Sequence, residues 1–126
     1  MSYATAVRQY QSVSSVGAVA DASPHKLVSM LYAGLLERLA SARGALMRGD
    51  VGTKARQIGA AVAIVEHLRV CLDREAGGAL ASNLDALYEY MTRRLVKANA
   101  DNDEQALDEV MRLSREIQSG WEGIAR

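Results

Sequence analysis

The sequence predicts an all-α protein, an antiparallel up-down four-helix bundle preceded by a short N-terminal helix or an irregular cap segment. Four long segments carry apolar residues three and four positions apart, which is the repeat of an amphipathic helix. The turns between them are only about two to five residues long, so successive helices must be antiparallel neighbours. A chain of 126 residues is one domain by length. We expect residues 1–22 to be a mobile cap and residues 23–126 to form the bundle.

The first two helices are marked by their caps as well as by their apolar stripes. Ser23 followed by Pro24 is a typical helix start, because the serine can cap and the proline needs no N–H partner there. Gly49 ends the first helix, and Asp50 is placed to cap the second. The first stripe comprises Val28, Leu31, Leu35, Leu39, Ala42 and Leu46, and the second comprises Ile58, Ala61, Val65, Leu68 and Leu72. A further apolar side of the second helix comprises Val62, Ile64 and Cys71.

The third and fourth helices each follow a break in the chain. Gly77 and Gly78 interrupt the chain before the third helix, and residues 99–103 (NADND) form the turn before the fourth. Asp103 and Glu104 suit the positive N-terminal end of the fourth helix. The third stripe comprises Leu80, Leu84, Leu87, Met91, Leu95 and Ala98, and the fourth comprises Leu107, Val110, Leu113, Ile117, Trp121 and Ile124.

Residues 1–22 differ from the rest of the chain in being rich in Ser, Gly and β-branched residues and poor in charge. Tyr3, Val7 and Tyr10 would share one face if residues 3–13 were helical, but a helix that short is marginal in water. A segment held by so few side chains can leave the bundle without unfolding it. We therefore expect this segment to be a movable cover over a binding groove.

Composition argues against several classes of function. Lys plus Arg number 15 and Asp plus Glu number 15, so the net charge is zero, which argues against a nucleic-acid binder. No apolar run approaches the roughly 20 residues that span a bilayer, so membrane insertion is not expected. The N-terminus lacks the pattern of a secretory signal. The single cysteine, Cys71, excludes an internal disulfide and favours a reducing compartment, so we expect a soluble cytosolic protein.

No residues have the spacing of a catalytic or metal-binding site, so the sequence predicts neither an enzyme nor a cofactor. His25 and His67 both lack a glutamate three residues before them, as a di-iron bundle would require. We interpret both histidines as surface or boundary residues. We interpret Cys71 as a buried, inert thiol in a helix interior. A redox or metal enzyme using Cys71 or His67 remains the least favoured alternative.

An interaction protein is the class that the residues themselves favour. Beside its core stripe the third helix carries Tyr88, Tyr90 and Val96, and four-helix bundles bind partner segments in apolar grooves between helices. These residues can equally be ordinary core and boundary positions, since tyrosine often buries its ring and keeps its hydroxyl wet. A second hypothesis is a structural or adaptor bundle that self-associates through the same surface.

One stretch has a specific resemblance. Residues 77–103, GGALASNLDALYEYMTRRLVKANADND, closely resemble the most distinctive part of the flagellar secretion chaperones, the FliS family. YQSV at residues 10–13 resembles the N-terminal tyrosine motif of that family, and ASPHKLVSMLYAGL at residues 22–35 resembles its first long helix. Further matching positions are Gly49, Asp50, Leu72, Asp73 and Trp121.

The resemblance implies a function. Members of this family bind the disordered C-terminal segment of newly made flagellin in the cytoplasm, prevent premature polymerisation and help deliver flagellin to the flagellar type III secretion apparatus. It implies contact with a component of the export gate, and it leaves open a regulatory protein or co-chaperone and a homodimer. No cofactor is implied.

The resemblance also implies which residues meet the client. Tyr10 and Gln11 are expected to act as a gate, because they match the N-terminal motif. The residues expected in the groove are Leu31, Leu84, Leu87, Tyr88, Met91 and Leu95. The alternative for at least half of the leucines is plain bundle core.

Overall fold

The computed structural model describes residues 23–123, apart from the side chains of Arg74 and Ala76. Within these residues the chain forms four helices, which are α1 (Pro24–Arg48), α2 (Val51–Val70), α3 (Arg74–Asp101) and α4 (Glu104–Gly123). Helix α1 packs against α2 and α4, and α3 packs against the same two helices. This arrangement confirms the predicted up-down four-helix bundle, while the predicted N-terminal helix or cap segment lies outside the described residues.

The predicted caps fix the first two helices. The Ser23 hydroxyl oxygen accepts a hydrogen bond of 3.1 Å from the backbone N–H of Lys26. The Asp50 carboxylate accepts a bond of 3.1 Å from the N–H of Thr53. Between the two helices, Gly49 has a φ of 74°, a left-handed conformation that costs glycine little. The tight turn follows from Gly49 and Asp50 and returns α2 antiparallel to α1.

The predicted break at Gly77 and Gly78 is present as a kink inside α3, where the backbone of Gly78 is not helical. A short helical segment that begins at Arg74 precedes the kink, and the main part of the helix follows it. Gly78 has a φ of 51° and a ψ of −125°, a region that a residue with a Cβ rarely occupies. A Cβ on Gly77 would lie 2.8 Å from the Cβ of Ala81. Leu80 follows the kink and is 66% exposed, so its predicted place in the core stripe was wrong.

The core otherwise follows the predicted stripes. Its large buried apolar residues are Leu31, Leu35, Leu39, Ile58, Val65, Leu68, Met91, Leu95, Leu107 and Val110. Tyr32 is also buried, although it lies one position outside the first stripe. Apolar side chains spaced by three and four residues cover one face of each helix, and the bundle places these four faces together.

A buried lysine joins two helices at the end of the bundle where α2 begins and α3 ends. Lys54 is only 4% exposed. Its Nζ donates to the backbone carbonyl oxygen of Asn99 at 2.8 Å and to the side-chain oxygen of Asn102. The last carbonyls of a helix have no partner within the helix and attract positive charge. Lys54 therefore caps α3 from α2.

Ion pairs on the surface link adjacent helices. Arg69 Nε lies 2.8 Å from Asp85 Oδ1 and joins α2 to α3, and Arg94 Nε lies 2.7 Å from Glu109 Oε1 and joins α3 to α4. Such pairs contribute only about 0–1 kcal/mol each. They favour the observed alignment of the helices, while the apolar core supplies most of the stability.

Candidate binding cavity

An open cavity of about 640 Å³ lies between the four helices, at the end of the bundle where α1 and α3 begin and α2 and α4 end. Its apolar lining comprises Val28 and Tyr32 from α1, Leu68 from α2, Leu80, Ala81, Leu84 and Tyr88 from α3, and Ile117 and Trp121 from α4. The residues between α2 and α3 complete one wall. All four helices thus contribute to a single apolar concavity.

Small residues leave the space that the cavity occupies. Gly77, Ala81 and Gly120 all line it, and none has a side chain larger than a methyl group. Leu84 and Ile117 pack against the core but remain partly exposed. The apolar stripes of the helices therefore continue past the point where the bundle closes, which leaves unpaired apolar surface of the kind that marks binding sites.

Two tyrosines form the floor of the cavity. Tyr32 is 1% exposed and Tyr88 is 3% exposed, and both line the cavity. Their hydroxyl groups are hydrogen-bonded to each other. Burial raises the pKa of both phenols above the ordinary value, because the charged form would lose its hydration. Both hydroxyls are therefore neutral at physiological pH.

A stacked pair of rings fixes the rim on the side of α1 and α4. The rings of Trp121 and His25 lie with their centroids 4.5 Å apart and their planes 11° apart. The indole N–H of Trp121 donates to the carbonyl oxygen of His25 at 3.1 Å. The end of α4 is thereby held against the start of α1, and Trp121 keeps a fixed position in the wall.

The interpretations of Cys71 and His67 were wrong. Cys71 is exposed, since α2 ends at Val70 and the thiol lies beyond the helix, in the wall of the cavity. Partial burial nevertheless raises the pKa of this thiol. His67 is buried, because it follows Ile64 by three residues and so shares its face of α2. Burial lowers the pKa of this imidazole.

Leu84 and Tyr88 are the predicted groove residues that line the cavity. They are four positions apart on α3, so their side chains lie on one face of the helix. The apolar stripes in the sequence did not indicate the cavity role of Tyr32, Val28 and Ile117. The signal available for these residues was their position in the first three turns of α1 and the last two turns of α4, which meet at one end of an up-down bundle.

The other predicted apolar residues lie in or beside the core. Leu31 is 1% exposed, and Met91 and Leu95 are 0% exposed. Leu87 is partly exposed and packs against the core cluster. None of these four is among the residues that line the cavity, and their positions match the alternative of plain bundle core.

The predicted gate residues, Tyr10 and Gln11, lie outside the described part of the chain, so their role stays a prediction. Within residues 23–123, no three His, Cys, Asp or Glu side chains come together in a group that could hold a metal ion. In the same range, no helix combines the length and the apolar character needed to cross a membrane.

Comparison with known proteins identifies the family. A sequence model described as "Flagellar protein FliS" matches residues 6–126. The Flagellar secretion chaperone FliSB of Pseudomonas aeruginosa is 53% identical over 120 residues, covering 95% of both chains. The Flagellar secretion chaperone FliS of Vibrio cholerae is 42% identical over 94% of this chain and 87% of its own. That of Salmonella typhimurium is 42% identical over 97% of this chain and 91% of its own. The chain therefore belongs to the FliS family of flagellar proteins.

Proposed function

We propose that this protein is a flagellar export chaperone that binds the disordered C-terminal segment of flagellin in the cytoplasm. It prevents premature polymerisation and delivers flagellin to the flagellar type III secretion apparatus. Family membership supports the role of an export chaperone, since the relatives are named flagellar secretion chaperones. The single structural observation that carries the proposal is the open apolar cavity at one end of the bundle.

The energetics of client binding suit an apolar cavity. A segment that is disordered alone cannot bury enough apolar surface within itself. Folding on binding costs about 2–5 kcal/mol or more. Burying one leucine-sized side chain contributes about 1.5–3 kcal/mol. A client helix that lays a few apolar side chains into the cavity therefore offsets its ordering cost, in the helix-in-groove manner.

We further propose that residues 1–22 cover the cavity when no client is bound, with Tyr10 and Gln11 as the gate. Ser23 directly precedes α1, whose Val28 lines the cavity, so this segment joins the bundle at the cavity end. Open apolar surface promotes aggregation, and a cover reduces it. Competition with the cover lowers the apparent affinity for the client, because only the uncovered fraction of the protein can bind it.

Changing Leu80 to Glu is expected to weaken flagellin binding by about tenfold or more, because a docked client would have to desolvate the new carboxylate. Leu80 lines the cavity yet is 66% exposed, so the change leaves the core untouched. The affinity for a peptide of the flagellin C-terminal segment is measured by calorimetry. Circular dichroism records the helicity gained on binding and the melting temperature of each free protein.

Val96→Glu is the matched control, because Val96 is 58% exposed on the same helix and does not line the cavity. This variant should bind the peptide as the wild type does. Equal weakening by both changes would place the client elsewhere. No binding of the peptide by the wild type at micromolar concentrations would contradict the proposed function. If the wild type then self-associates and Leu80→Glu abolishes that self-association, the result would favour the alternative hypothesis of a self-associating adaptor bundle.

A further inference from the structure

The tyrosine pair at the cavity floor has one hydroxyl proton more than its mutual hydrogen bond uses. Each phenol has one O–H donor and can also accept. Whichever of Tyr32 and Tyr88 donates to the other, the accepting hydroxyl keeps its own proton. Within residues 23–123, no further hydrogen bond of either hydroxyl is present. At least 97% of each residue is buried, at the base of an apolar cavity.

In the described part of the chain the spare proton has no acceptor, and both tyrosines line the cavity, so its partner comes from whatever fills the cavity. Whenever the cavity is open, a water molecule in it can accept this proton. A client that fills the cavity displaces that water, and a purely apolar client leaves the donor unpaired. A buried donor without a partner costs about 1–3 kcal/mol, or roughly a fivefold to 150-fold loss of affinity. The cavity therefore discriminates against a client that is wholly apolar at this depth.

We propose that Tyr32 and Tyr88 determine client specificity, because the bound flagellin segment must place a hydrogen-bond acceptor against their spare hydroxyl proton. This inference rests on the proposed function and adds a chemical requirement to it. The carbonyls in a helix interior are already bonded. A helical client therefore supplies the acceptor from an Asn, Gln, Ser or Thr side chain within its apolar face, or from its last carbonyls.

The test uses the double variant Tyr32→Phe/Tyr88→Phe in the full chain. Replacing both partners of a buried hydrogen bond by apolar groups of the same shape is close to neutral for stability. The melting temperature should therefore stay near that of the wild type. The affinity for the flagellin C-terminal peptide should fall about tenfold, because the acceptor of the client is now unpaired. An unchanged or higher peptide affinity would overturn the proposal.

Tyr90→Phe is the matched control. The Tyr90 hydroxyl donates to Glu109 at 2.9 Å, and Tyr90 does not line the cavity. The same chemical change at this position should leave the peptide affinity unaltered. Equal weakening in the control and in the double variant would also overturn the proposal, since the effect would then be a general response to losing a tyrosine hydroxyl.

A second measurement separates this inference from the proposed function. The cavity is probed by NMR with acetophenone, which carries an acceptor, and with isopropylbenzene, which has a similar shape and none. The ratio of the two affinities should favour acetophenone about fivefold more in the wild type than in the double variant. Equal ratios would overturn the inference. A retained preference without peptide binding would support the donor while contradicting the flagellin role.

Discussion

Changing Leu95 to Ala is expected to lower the free energy of unfolding by about 2–5 kcal/mol, because it removes buried methyl groups and leaves a void. Leu95 is 0% exposed and lies in the main core cluster. A domain of this size has a total stability of about 5–15 kcal/mol. One substitution thus removes a large share of it. Urea unfolding followed by circular dichroism measures the loss.

Leu87→Ala is the matched comparison, because it makes the same chemical change two helical turns earlier on α3. Leu87 is only partly buried against the core cluster, so its loss should be clearly smaller. Equal losses at the two positions would mean that Leu87 is as enclosed as Leu95. A loss below about 1 kcal/mol at Leu95 would contradict the described core.

Changing Lys54 to Met is expected to lower the free energy of unfolding by about 1–3 kcal/mol. Methionine keeps the apolar stem but lacks the ammonium group that donates to the carbonyl of Asn99 and to Asn102. The last turn of α3 then loses its partner from α2 while the site remains mostly enclosed. Urea unfolding measures the loss. Amide hydrogen exchange in the last turn of α3 should accelerate, since local opening becomes easier.

Lys97→Met is the control for Lys54. Lys97 Nζ lies 3.1 Å from Asp101 Oδ2, but the lysine side chain is 49% exposed. An exposed pair of this kind contributes about 0–1 kcal/mol. The two lysines differ in burial and in partners, since Lys97 pairs with a carboxylate of its own helix whereas Lys54 reaches from α2 to the end of α3. If the two variants lost the same free energy of unfolding, the buried cap would contribute no more to stability than an exposed ion pair.

The sequence could predict those features that depend on neighbouring residues. The stripe containing Leu31, Leu35 and Leu39 repeats at helical spacing, and the structure buries all three. The caps at Ser23 and Asp50 act within three residues of themselves. Such local patterns were enough to establish the helices, their order and their antiparallel connections.

The sequence could not predict those features that depend on contacts between distant helices. Lys54 looks like a surface residue until the end of α3 is placed beside it, 45 positions later in the chain. Two other differences have local causes. Leu80 continues the stripe of α3, but the kink at Gly78 comes first and the side chain is exposed. Cys71 was assigned to a helix interior because the end of α2 carries no Gly or Pro signal.

The lack of information on contacts between helices also limited the prediction of the binding site. Leu84 and Leu95 have equivalent places in one stripe, yet Leu84 lines the cavity and Leu95 lies in the core. Periodicity shows which face of a helix is apolar but not where, along that face, the neighbouring helices stop covering it. The resemblance to FliS proteins indicated a groove, and only the assembled bundle located the cavity at one end.

Cys71 offers a direct probe of the cavity. It is the single cysteine of the chain, it is exposed, and it lines the cavity. The thiolate is the form that reacts with an aromatic disulfide. Because partial burial raises the pKa of this thiol, the thiolate fraction at neutral pH is reduced and grows as the pH rises. Reaction rates are therefore best compared at one mildly alkaline pH.

Docking of the client in the cavity is tested most directly by the reaction rate of Cys71 with and without a saturating flagellin C-terminal peptide. Cys71→Ser/Val96→Cys, which moves the thiol to an exposed position outside the cavity, is the control. If the client fills the cavity, the peptide should slow the reaction of Cys71 about tenfold and leave the control rate unchanged. An unchanged Cys71 rate at saturation would contradict docking in the cavity.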